Sequence, residues 1–485
     1  MKKNMKKSTK TNSNTKKNIK KGNIELWVTM SFFTVLFIGM ISYLCFYTTT
    51  HKKDLFNNSY NARQAQMALI NRRGSIEDRN GNVLAKTVMT ENGEERIYPY
   101  GNLFSHVVGY STKGKTGIEE LANYDLINSN IPMSEKIKNE MDGIKNPGNN
   151  VITTLDADIQ QVTYDAIGAY KGAAIVTNVK TGEILAMVSK PDFDPNTIII
   201  DWDKHLEDEE NGVLLNRVTQ GIYPPGSTFK MLTTLEYAKE HQNEMKDYHF
   251  SCHGQFTYAN TTIQCYHGSV HGEEDFKKSF AKSCNTSFAN IGVNLDRDAF
   301  GDTLDGLLFN SKLPMPLPYK ESVLLVDNSI SNDDMIQVAI GQGKAQITPA
   351  HLNMITCAIA NDGKLMSPML IKEVETYDGT SISQYKEKTY KQLMTKEESD
   401  ILTEYMIEVV NNGTAKKLQS DFYQAAGKTG SAEFAQNHSD SHAWFTGFAP
   451  ADDPEIAVTI IIESIGSGGD YAVPIARRIF DACLK

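Results

Sequence analysis

Between Leu26 and Tyr47 the chain carries 22 residues without a charged side chain. About 20 apolar residues of helix cross a bilayer core, so this stretch predicts a membrane-spanning helix. A cleaved leader has a shorter apolar run, roughly 7–15 residues, closed by small residues. Here the run ends in Phe46-Tyr47-Thr48-Thr49, which predicts a retained anchor. His51 to Met67 is polar and reads as a spacer. Asn80-Gly81 between apolar residues predicts a hairpin turn. The rest of 68–150 reads as short strands and loops, with a boundary in the polar Asn146 to Asn150 stretch.

From Val151 the pattern changes. Apolar periodicity predicts a helix over Ile159–Tyr170, then strands Ala173–Val179 and Glu183–Val188 around a Lys180-Thr181-Gly182 turn. Further helices are predicted over Thr228–Lys239, Asp275–Asn294, Lys396–Asn411 and Val473–Cys483. Late strands fit Ala425–Ala432, Ala443–Ala449 and Ile456–Ser464. Helices and strands mix without βαβ regularity, which predicts an α+β fold.

Charge sharpens this layout. The net charge is -10, yet residues 1–25 hold nine lysines and one acid, leaving 40 basic and 58 acidic residues beyond them. Lysines ahead of the apolar run place the N-terminus in the cytoplasm and the remainder outside. The Lys/Asn/Ser/Thr composition of the tail predicts disorder. The acidic body excludes nucleic acid as a partner, because phosphate backbones need a positive surface.

Serine acyl transfer needs a nucleophile, a nearby base and donors for the oxyanion. Ser227-Thr228-Phe229-Lys230 places a hydroxyl and an amine three residues apart on one helix face, behind a Tyr223-Pro224-Pro225-Gly226 turn. A lone S-x-x-K carries little information: Ser13–Lys16, Ser279–Lys282 and Ser383–Lys386 also match. K-T-G is equally common, at 115–117, 180–182 and 428–430. Order distinguishes one set. Ser283-Cys284-Asn285 lies between Ser227 and Lys428, and the last K-T-G falls on a predicted strand.

The ordered S-x-x-K, S-x-N and K-T-G motifs resemble those of penicillin-binding proteins and serine β-lactamases. The Arg73 to Ala85 run, Gly117-Ile118-Glu119-Glu120, Gly341-Gln342-Gly343 and Trp444-Phe445-Thr446-Gly447-Phe448 narrow the resemblance to class B penicillin-binding proteins. That resemblance implies a cytoplasmic tail at 1–25, an anchor at 26–47, a β-rich pedestal or dimerisation-like domain at 48–150, and a transpeptidase domain at 151–485. The last would have a central antiparallel sheet flanked by helices. It implies a D,D-transpeptidase in which Ser227 attacks D-Ala-D-Ala stem peptides and is acylated by β-lactams. Lys230 would be the base, Ser283 a proton relay and Asn285 a holder of Lys230 or the substrate amide. Lys428 and Thr429 would orient the substrate carboxylate, and Gly430 would admit the substrate backbone. The N–H groups of Ser227 and Ser431 would form the oxyanion hole. Glycan polymerisation would fall to a separate RodA/FtsW-type membrane partner. A D,D-carboxypeptidase differs only in its acyl acceptor, and a non-catalytic β-lactam-binding scaffold would require an inert Ser227. A β-lactamase is disfavoured by the anchor and pedestal.

Cys252, Cys265, His271 and Cys284 follow a C-x12-C-x5-H-x12-C spacing, without the short knuckles of zinc ribbons. Three cysteines and a histidine make a closed tetrahedral set for structural zinc. Some class B transpeptidases are similar in carrying zinc in this stretch, with aspartates among their ligands. A Cys252–Cys265 disulfide and four free side chains remain alternatives, and His253 and His267 compete as ligands.

Overall fold

The protein is described by a computed structural model covering residues 2–51, 63–91, 93–208, 210–241, 244–433 and 441–485. It divides into two compact units, 1–66 and 67–485. In the first, helix α1 spans Lys2–Thr50, and its Asn23–Thr50 part is long and apolar enough to cross a membrane. Hydroxyls within it bond back to their own helix, as in Thr34 Oγ1 to Met30 O at 2.8 Å, which satisfies them without an outside partner. The tail is helical where composition predicts disorder. Lysine is a good helix former, and the tail extends an existing helix without a new nucleus. Residues 52–62 of the expected spacer lie outside the described residues.

In the second unit a six-stranded sheet runs in the order 381–384, 371–375, 150–153, 76–77, 83–90, 93–97. The Asn80-Gly81 turn is present: strands Ile76–Glu77 and Val83–Thr90 pair antiparallel, and Gly81 takes φ +86°. The boundary expected near residue 150 falls inside a strand, Asn150–Thr153, which joins Ile76–Glu77 to Ile371–Glu375. The stretch read as strands and loops also holds helices, among them Gly117–Leu121, Asn123–Ile127 and Met133–Met141. Ile118, Ala122 and Leu126 are buried at helical spacing. Glu119 sits fully buried between Arg73 (2.6 Å) and Arg96 (2.7 Å), and these guanidinium groups hold its carboxyl below the usual range against the cost of burial.

The site rests on a five-stranded antiparallel sheet built from β1 (Gly172–Asn178), β2 (Ile184–Lys190), β3 (Ala426–Glu433), β4 (Ser441–Ala449) and β5 (Ile456–Ile462). Spatial order is β3-β4-β5-β1-β2, so β3 with its K-T-G is an edge. Every residue of β5 is buried, as expected of a strand covered on both faces. Helix α2 (Ala157–Ile167) lies nearby. A second group of helices comprises α3 (Lys230–His241), α4 (Phe276–Ala281), α5 (Asn285–Asn294), α6 (Pro349–Ile359) and α7 (Lys396–Asn411), and α8 (Ala472–Leu484) follows β5. Helices α2 and α8 pack together, with α8 against β4 and β5, while α6 also meets β5.

A further element differs from expectation. The helix predicted over Asp275–Asn294 is two helices broken at Ser283, which takes φ +58°. The Ser283 N–H bonds to Phe280 O (3.1 Å) and the Cys284 N–H to Ser279 O (2.9 Å). This pattern ends a helix with a left-handed residue, a place usually taken by glycine. A serine there hides the break from a sequence reading.

Candidate active site

The turn leading to Ser227 is held from several sides. Tyr223 exchanges two backbone hydrogen bonds with Ile347 (3.1 and 2.9 Å), and the Gly226 N–H donates to Gly341 O at 2.9 Å. Trp444 Nε1 on β4 donates to Pro224 O at 3.0 Å, and Thr228 Oγ1 donates to Pro225 O at 2.8 Å. Gly226 has φ +54°, and a Cβ there would lie 3.0 Å from Ser431 O. Edge strand β3 therefore presses directly on the turn, which brings Ser431 beside Ser227. Ser227 sits in a 3-10 turn, Gly226–Phe229, that runs into α3. It is half-buried while Thr228, Phe229 and Lys230 are buried.

Lys230, Ser283, Asn285 and Lys428 converge. Lys230 Nζ lies 2.7 Å from Ser283 O, 2.8 Å from Asn285 Oδ1 and 3.3 Å from Ser283 Oγ. Lys428 Nζ donates to Ser283 Oγ at 2.9 Å and to Thr429 O at 3.1 Å. Both amines are buried, near the rings of Phe288 and Phe280 respectively. Burial pushes Lys230 down to about 8. Burial, and then the neighbouring Lys230, hold Lys428 well below its ordinary value. Two amines sharing one hydroxyl cannot both stay charged without strong repulsion. Ser283 Oγ links them and can pass a proton between them. Among the described residues, Ser227 Oγ has no hydrogen-bond partner.

The competing motifs do not converge. Ser279 Oγ is buried against Glu274, and Lys282 is exposed. Ser383 lies on an exposed strand, and Lys180 pairs with Asp453 beside a hairpin turn. Sequence reasoning missed Thr414, whose Oγ1 is 2.5 Å from Thr429 Oγ1, and the Trp444 bond to Pro224. Neither has a local signal, since both arise from packing between distant segments.

The cysteine set also comes together. Cys252 ends strand His249–Cys252, which pairs with Gly272–Asp275, and hairpin Gln255–Tyr258/Thr261–Gln264 folds back to deliver Cys265. Sγ of Cys265 lies 3.7 Å from Sγ of both Cys252 and Cys284, and His271 Nδ1 lies 3.4 Å from Cys252 Sγ. All four donor atoms fall within 4.8 Å of one another. A disulfide needs about 2.05 Å, so the pairing Cys252–Cys265 is not formed here. A tetrahedral zinc with Zn–S of about 2.3 Å spaces its sulfurs by about 3.8 Å, close to the observed edges. His253 and His267 stay exposed, beside Ser251 and Tyr266. Thr286 Oγ1 lies 3.2 Å from Cys252 Sγ and Cys284 Sγ and 3.5 Å from Cys265 Sγ.

A family model described as the penicillin binding protein transpeptidase domain matches residues 172–481. A second, the penicillin binding protein A dimerisation domain, matches 73–151. The peptidoglycan D,D-transpeptidase PbpA of Mycolicibacterium smegmatis is 29% identical over 436 residues, 84% of this chain and 88% of that protein. Among solved structures, the ceftriaxone acyl-enzyme of penicillin-binding protein A from M. tuberculosis superposes with a TM-score of 0.79 at 27% identity, covering 87% of this chain and all of that one. A D,D-transpeptidase domain of a peptidoglycan glycosyltransferase from Eggerthella lenta gives 0.77 at 30% identity, covering 86% and 98%.

Proposed function

The chain belongs to the class B penicillin-binding proteins, it is a serine peptidoglycan D,D-transpeptidase acylated by β-lactams, and we propose that Ser227 is its nucleophile. The observation that carries this assignment is the convergence of Lys230, Ser283, Asn285 and Lys428 behind the Ser227 turn. Neutral Lys230 takes the Ser227 proton as Oγ attacks the carbonyl of the penultimate D-Ala. The N–H groups of Ser227 and Ser431 hold the oxyanion. Ser283 hands a proton to the departing amine of the terminal D-Ala. Lys428 and Thr429 bind the terminal carboxylate, and Gly430 lets the peptide lie against β3. An amine of a second stem peptide then attacks the acyl-enzyme. A fluorescent penicillin tests the assignment on full-length protein in detergent. Wild type should label covalently and Ser227→Ala should not; label retained on the variant refutes it.

Cys252, Cys265, His271 and Cys284 are proposed to hold a structural zinc that takes no part in chemistry. The donor set and its edge lengths support this. Cys284 lies between Ser283 and Asn285, so a metal would fix the loop that holds Lys230. Near-stoichiometric zinc by elemental analysis is expected, and its absence together with a Cys252–Cys265 bond by mass spectrometry overturns the proposal. No cofactor is required for the acyl transfer. We assign 48–150 to the pedestal and 151–485 to the transpeptidase domain, with residues 26–47 of α1 as a single-pass anchor, the 1–25 tail cytoplasmic and the catalytic unit outside. A RodA/FtsW-type polymerase in the membrane is the proposed source of glycan strands.

A further inference from the structure

Thr414 lies outside the three motifs, yet its Oγ1 is 2.5 Å from Oγ1 of Thr429 in the K-T-G strand. Its place is tightly constrained. As the chain leaves α7, Gly413 N and Ala415 N both bond to Val409 O (3.1 and 3.0 Å), while Thr414 N donates to Ala281 O at 3.2 Å. Ala281 is two residues before Ser283. A Cβ on Gly413 would lie 2.3 Å from Ala281 O, and one on Gly469 would lie 2.7 Å from Thr414 O. Thr414 is thus wedged between the S-x-N loop and the segment after β5. The residue remains exposed, whereas Thr429 is only 5% exposed.

A threonine hydroxyl has one proton and two lone pairs. A carboxylate only accepts hydrogen bonds. If Thr429 spent its proton on Thr414, its lone pairs would face the bound carboxylate and repel it. If Thr414 donates instead, the Thr429 proton is free for the carboxylate. At 2.5 Å one of the two hydroxyls must donate to the other, so a bound carboxylate selects the second arrangement.

We propose that Thr414 is a positioning residue for the terminal carboxylate of the acyl donor, acting by donating to Thr429. This rests on the reading of Thr429 as a carboxylate ligand. It makes the chain a discriminator for donors that keep a free C-terminal carboxylate.

The test compares acylation of the full-length protein by benzylpenicillin and by its methyl ester, which lacks the carboxylate charge. Thr414→Val keeps the shape and removes the hydroxyl. It should weaken acylation by benzylpenicillin about fivefold, the scale of the one neutral hydrogen bond that orients the Thr429 hydroxyl, mainly through the saturation constant. The ester should change less than about twofold, and Thr414→Ser should restore the wild-type rate, because each keeps or bypasses that one bond. Equal losses for acid and ester would show a merely structural role and overturn the proposal. Thr429→Val separates the two layers. If it abolishes the preference for the acid while Thr414→Val leaves it intact, the proposal fails and the carboxylate reading stands. If Thr429→Val also leaves the preference intact, both fail. Should Thr414→Val not fold, Thr414→Ala carries the same comparison.

Discussion

Raising the pH should accelerate acylation of Ser227, because the Lys230 amine accepts a proton only when neutral. Its two short hydrogen bonds run to carbonyl oxygens, Ser283 O at 2.7 Å and Asn285 Oδ1 at 2.8 Å, so each consumes an N–H. A neutral amine has two such groups and one lone pair, which leaves the lone pair for a hydroxyl. Burial brings the group to about 8. Ordinary titration then leaves about a tenth of the amine neutral at pH 7, half at pH 8 and about nine-tenths at pH 9. The second-order rate constant for a fluorescent penicillin should rise about fivefold from pH 7 to 8 and less than about twofold from 8 to 9. The assay mixes full-length protein in detergent with excess label, quenches at intervals and reads gel fluorescence. A parallel blank corrects for base hydrolysis of the β-lactam. A rate flat from pH 6 to 9 would show that no amine titrating in this range supplies the base. A rise confined to pH above 10 would show an amine unshifted by burial. Either result refutes the role given to Lys230.

Three further outcomes follow from packing. In Gly341→Ala the new Cβ would lie 2.0 Å from Gly226 O at a residue with φ +77°, so the turn bearing Ser227 must shift; acylation should fall by about tenfold or more with a lower melting temperature. Cys265→Ser, or chelation of the wild type, should release zinc and slow acylation while the protein stays folded, read by elemental analysis beside the labelling rate; unchanged acylation in zinc-free protein would remove the link to the catalytic loop. Glu119→Gln leaves Arg73 and Arg96 buried without their counter-charge and should cost about 3–5 kcal/mol in denaturant unfolding. Because the folded pKa of Glu119 is depressed, its stabilisation is present above the unfolded value of about 4.3 and is lost as pH falls through the lower folded value.

What could be read from the chain follows physical range. Strands β1 to β5 and helix α7 were legible because their signals are local, short strand-length runs and a helical period over Lys396–Asn411; the structure adds a Thr395/Glu398 capping box at the start of α7. The catalytic motifs were legible as residue types in order. Their separation from the four other K-T-G or S-x-x-K matches within residues 67–485 became physical only in the fold, where the Ser283 hydroxyl hydrogen-bonds with both Lys230 and Lys428. The helix break at Ser283 was not legible, because a serine holds a left-handed φ that glycine would have announced. Thr414 was not legible either, since its partner is 15 residues away across a turn.

The helix break at Ser283 and the cysteine cluster are connected. Ser283 adopts its left-handed conformation immediately before Cys284, whose Sγ accepts from Ser287 N at 3.4 Å and so caps α5. Asn285 Nδ2 donates to Gln264 O at 3.0 Å, and Gln264 adjoins Cys265. The residues that hold the Lys230 amine are thus tied on both sides to the cysteine cluster, one through the chain and one through a hydrogen bond. A left-handed serine costs of order 1 kcal/mol and persists only when its surroundings over-determine it. The helix end, the cap on α5 and the cluster supply that over-determination. Loosening the cluster should therefore first disturb Asn285 and Ser283, and through them the orientation of Lys230, while the sheet and the Ser227 turn remain in place. Catalysis would be lost ahead of folding, which is the order in which a zinc-depleted protein should fail.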